Sequence, residues 1–149
     1  MVLGMESHLG DITRVIQLSV APVFLLTAIS TLISAMNGRL ARIVDRRRVL
    51  LGRKGKSEAP DESLSLTEEL ALLEERSRLV YYAIFSSVLS ALLVCLVVAF
   101  AFIGALMTTD LARVVATFFV LSMAAMIVAL GLFLREIYLA VRTGTHTNR

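Results

Sequence analysis

Residues 15–50 read "VIQLSVAPVFLLTAISTLISAMNGRLARIVDRRRVL": no charged side chain occurs up to Asn37, and five arginines with one aspartate follow by Arg48. A helix rises 1.5 Å per residue, so an uncharged run longer than roughly 18 residues is long enough to cross a bilayer. The pattern recurs twice, at Val80–Thr109 and at Val114–Leu134. The 149 residues are 57% hydrophobic with a mean hydropathy of +0.80, where soluble domains hold about 45–50% apolar residues. The predicted fold class is therefore an all-α membrane protein with three transmembrane helices, at 15–37, 80–109 and 114–141.

The segment before the first run carries Glu6, Asp11 and only Arg14. A cleaved export signal starts with a positive stretch and ends its apolar core at small residues, so this run reads as a retained anchor. Orientation follows from basic residues, which accumulate on the cytoplasmic side. Ten Lys/Arg lie between Gly38 and Leu79, against Arg14 in the tail 1–14 and Arg113 in the link 110–113. The expected topology is N-terminus out with a cytoplasmic tail at 142–149, in an inner (plasma) membrane. Tyr81, Tyr82 and Tyr138 fall where an aromatic belt belongs.

The 38–79 segment is also patterned. Leu40, Ile43, Val44, Arg47, Leu50 and Leu51 recur at three- and four-residue steps, so the first helix is expected to continue beyond the membrane. Gly52, Gly55 and Pro60 suggest a flexible tip near 52–64. "SLTE" then offers Ser65 and Glu68 as a capping box, and Leu66, Leu70, Leu73, Ser77 and Val80 mark a heptad-like seam. Residues 39–56 carry net +7 and residues 57–79 net −5. Together these features predict that the first and second helices extend into a cytosolic antiparallel helical hairpin.

Two stretches, "APVFLLTAISTLISAMNGRLARIVDRRRVL" at 21–50 and "LEERSRLVYYAI" at 73–84, resemble the bacterial membrane family known as domain of unknown function 2721. In that family an APxFLL-like start, an RLxRIVDR-like junction and an RxRLxYxAI-like approach to the second span recur. The resemblance implies a three-span bacterial inner-membrane protein, and it assigns no activity.

Chemistry is sparse in the sequence. Intramembrane ionisable residues persist where function needs them, and no Asp, Glu, Lys, Arg or His falls within 80–109 or 114–134. Cys95 stands alone in the second span, far from His8 and His146, and reads as a small packing residue. No HExxH, GxSxG or phosphate-cradling loop occurs. The expectation is a protein that is not an enzyme, with no metal and no cofactor.

The first span differs from the others in carrying a polar stripe, Thr27, Ser30, Thr31, Ser34 and Asn37, at helical spacing. Such a stripe serves either close helix packing or, in several copies around an axis, a pore whose cytoplasmic mouth carries Arg39, Arg42 and Asp45. Small-residue pairs such as Ser86/Ser90, Ser87/Ala91 and Ala125/Ala129 suit helix contacts and favour a homo-oligomer. Arg46, Arg47, Arg48, Arg53, Lys54 and Lys56 lie within reach of anionic membrane lipid or a cytosolic protein partner. Without interleaved aromatics they do not suggest nucleic acid. The function expected from sequence is a homo-oligomeric candidate ion channel lined by the first helix. The alternative is a non-conducting scaffold or accessory subunit whose hairpin binds a protein or anionic lipid.

Overall fold

Long uncharged runs leave the backbone no partner in lipid except itself, so helix is the form such segments must take. The computed structural model describes residues 2–55, 60–107 and 111–144. It contains α1 (Val2–Lys54), α2 (Pro60–Met107) and α3 (Ala112–Gly144). Each contains a stretch long and apolar enough to cross a membrane. The chain is an all-α, multi-pass membrane protein.

Burial follows a seven-residue rhythm. In α1 the buried positions are Pro22, Ile29, Met36, Ile43 and Leu50. In α2 they are Leu66, Leu73, Val80, Ser87 and Val94, joined by a second series at Ala83, Ser90 and Val97; in α3 they are Ser122, Ala129 and Glu136. A seven-residue interval is close to two helical turns, which keeps one seam facing a neighbour. Pro22 sacrifices one backbone hydrogen bond, a loss that apolar spans tolerate more often than soluble helices do.

The chain divides into two compact units. In the first, Met1–Leu32 with Ser87–Ile127, Ile29, Val94 and Val97 are core residues. There Phe100 stacks on Phe118 with centroids 5.4 Å apart. Ser90 Oγ donates to the Ser122 carbonyl at 2.9 Å and Ser122 Oγ donates to the Ser90 carbonyl at 3.1 Å. Small hydroxylated side chains allow this exchange because they let two helix backbones approach closely.

The second unit comprises Ile33–Ser86 with Val128–Arg149. Its core includes Met36, Ile43, Leu50, Leu66, Leu73 and Val80. The apolar stripe of α1 is narrower there than the sequence suggests, since Val44 and Leu51 are exposed. The helix ends differ too. α1 continues through Gly52, and Arg53 and Lys54 in its last turn complement the negative end of the helix dipole. α2 begins at Pro60, whose fixed φ suits a first helical position, with Asp61 and Glu62 in the first turn. Ser65 is therefore inside the helix and not its cap; its hydroxyl donates to the Glu62 carbonyl at 2.9 Å.

Candidate functional site

The heptad rhythm of α3 places Glu136, in the second unit, at the position that Ser122 and Ala129 occupy two repeats and one repeat earlier. A carboxylate there is taken out of solvent completely, and Glu136 has no exposed surface. Burying a charge costs several kcal/mol unless it is paired and hydrogen-bonded, at about that scale per ion. Two arginines meet the requirement. Arg39 Nη1 donates to Oε2 at 3.1 Å, and Arg76 donates to Oε1 from Nη2 at 2.9 Å and from Nε at 3.4 Å. Arg39 also lies over the Phe133 ring, 5.3 Å from its centroid. Both carboxylate oxygens are thus occupied, each by a guanidinium from a different helix.

These groups line a cavity of about 550 Å³ together with Arg42, Arg46, Ile43 and Leu73. Arg46 is held by Glu69, with Nε donating at 2.9 Å and Nη2 to the same oxygen. Arg42 has no partner among the described residues. The three anchors sit at the margins of the apolar runs: Arg39 two residues after Asn37, Arg76 four before Val80 and Glu136 two after Leu134. All three therefore stand where the uncharged runs end.

The other residues singled out by sequence are dispersed. Thr27, Ser30, Thr31, Ser34 and Asn37 are all exposed on α1. Thr27 and Thr31 return their hydroxyls to the carbonyls of Val23 and Thr27, at 3.2 and 3.1 Å. Arg47 reaches Glu74 at 3.5 Å, so Glu74 pairs across helices, while Arg78 lies over Tyr82 with its guanidinium carbon 5.9 Å from the ring centroid. Asp45, Arg48, Arg53 and Lys54 are exposed, and Lys56 lies outside the described residues. Of the mouth set Arg39, Arg42 and Asp45, the two arginines line the cavity.

Sequence reasoning passed over Glu136 and Arg76. Counting charges within uncharged runs stops at Leu134, and the carboxylate stands two residues later. Two signals could have found it. Glu136 is the sole acidic residue after Asp110, and it continues the seven-residue series of small residues on α3.

Helices of this length, with a basic cavity at the edge of their apolar stretches, define a multi-pass helical membrane protein. Residues 19–145 match the family model described as "Protein of unknown function (DUF2721)", and the chain belongs to that family, as the motifs at 21–50 and 73–84 led us to expect. No curated protein and no solved structure matches the chain.

Proposed function

We propose that the chain is the subunit of a homo-oligomeric membrane assembly that conducts ions along the polar face of α1. The observation that carries this reading is the exposure of Ser30, Ser34 and Asn37, none of which has a partner among the described residues. A carboxamide facing hydrocarbon without a hydrogen bond costs about 1–3 kcal/mol or more. Turning it toward the same face of other copies removes that cost and places a wetted strip around a shared axis. Only 11% of the apolar window of α1 is buried by its own chain, so much of its surface is available to further copies. Residues 38–54 and 60–79 are taken to extend as a cytosolic hairpin, with the N-terminus outside, in an inner membrane; the subunit is taken to be non-catalytic.

The exposed cations Arg53 and Lys54 favour one rival, a non-conducting scaffold whose hairpin engages a cytosolic protein or anionic lipid. Planar-bilayer recording separates the two readings. Conductance that changes in unitary size on Asn37→Leu, from protein that native mass spectrometry shows as an oligomer, supports the channel. A silent oligomer supports the scaffold, and a monomer defeats both self-assembly and the shared pore.

A further inference from the structure

Charge in the arginine cavity does not balance. Four guanidiniums, from Arg39, Arg42, Arg46 and Arg76, share two carboxylates, Glu136 and Glu69. Each guanidinium offers five N–H donors, yet the four make only five hydrogen bonds to those carboxylates. Glu136 can accept little more, since it is fully buried with both oxygens taken. The set therefore carries two positive charges more than its carboxylates supply, an excess that an anion in the cavity would balance.

We infer that this cavity binds a phosphate group, and that the phosphate is that of an anionic phospholipid at the membrane boundary. Guanidinium forks match phosphoryl oxygens in bidentate geometry. The cavity stands where the uncharged runs end, the level at which lipid phosphates lie, and basic pockets between transmembrane helices receive acidic lipid headgroups. Glu136 is a positioning residue: it fixes Arg39 and Arg76 before the ligand arrives, which lowers the ordering cost of binding. Arg42, with every donor free among the described residues, is the group that closes on the anion. The site is complete in one chain and does not depend on oligomerisation or conduction.

The test uses the full-length protein, with Arg42→Gln as the probe and Arg48→Gln as a control that removes equal charge outside the cavity. Arg42 and Arg48 are both exposed and unpaired among the described residues, so neither change disturbs the fold. Native mass spectrometry and titration with nanodiscs of phosphatidylglycerol or phosphatidylcholine read lipid retention; calorimetry with inorganic phosphate reads the soluble source. Expected is retention of phosphatidylglycerol over phosphatidylcholine, weakened about tenfold by Arg42→Gln and unchanged by Arg48→Gln, as loss of one charge-assisted contact implies. Binding of inorganic phosphate that depends on Arg42, without lipid preference, keeps the phosphate site and makes its source soluble. Equal loss in both variants, or loss in neither, overturns the site: the first would reduce it to diffuse attraction to the surface.

Discussion

Arg39 and Glu136 stand 97 residues apart in sequence and 3.1 Å apart in space. Arg76 completes the arrangement from α2, so one carboxylate ties all three helices within the second unit. Removing one member of a buried pair leaves the other uncompensated, which costs about 3–5 kcal/mol in buried sites. Both arginines here retain some access to solvent, so the lower end applies: Glu136→Leu should destabilise the protein by about 3 kcal/mol in an SDS-unfolding titration. Arg76 is less exposed than Arg39, at 22% against 41%, and Arg76→Met should be the more damaging of the two. Equal and negligible effects would show that the network contributes nothing to folding.

Ser90 and Ser122 exchange hydroxyl-to-carbonyl hydrogen bonds and are both fully buried. Hydrogen bonds between membrane helices average about 0.6 kcal/mol. Ser90→Ala and Ser122→Ala should therefore be mild, and their double variant should fall short of the summed effects, because the two hydroxyls also meet each other at 3.2 Å. Ser122→Leu should be far worse, since a large side chain forces the two helices apart. A double-mutant cycle that is strictly additive would exclude the hydroxyl–hydroxyl contact.

The presence of three long apolar stretches was legible in the sequence because it is written in hydropathy, which depends on each residue alone. The seam through Leu66, Leu73 and Val80 was legible for the same reason: periodicity is local. The site was not. Whether Arg39 faces lipid, water or a carboxylate depends on Glu136, and nothing near Arg39 in sequence marks that partner. Local spacing is no guide to such partners: Glu74 and Arg78 stand at the favourable i, i+4 interval, and yet Glu74 reaches Arg47. Helix starts were misread where a serine–glutamate pair imitates a cap and a proline five residues earlier begins the helix.

Cys95 is exposed on α2 in the midst of an uncharged run. In a bilayer its thiol should be shielded by hydrocarbon. Charged methanethiosulfonate reagents should leave it unmodified in proteoliposomes and react after denaturation in SDS, read as a mass shift. Rapid modification in the intact bilayer would place that part of α2 against water.

Gly52 has open space where a side chain would project, so Gly52→Cys should be structurally benign. In a Cys95→Ala background, an impermeant maleimide applied to intact cells should fail to label it and should label it in inverted vesicles. The opposite pattern would turn the basic block outward and reverse the orientation proposed for every span.

Chains emerge from the ribosome N-terminus first, and Arg39 and Arg76 are therefore both made some sixty residues or more before the acid they share. Until α3 is threaded, the earlier helices hold two like charges that resist closure. The last helix acts as a clasp: a nascent protein cut short before Glu136 lacks the one counter-charge that Arg39 and Arg76 share.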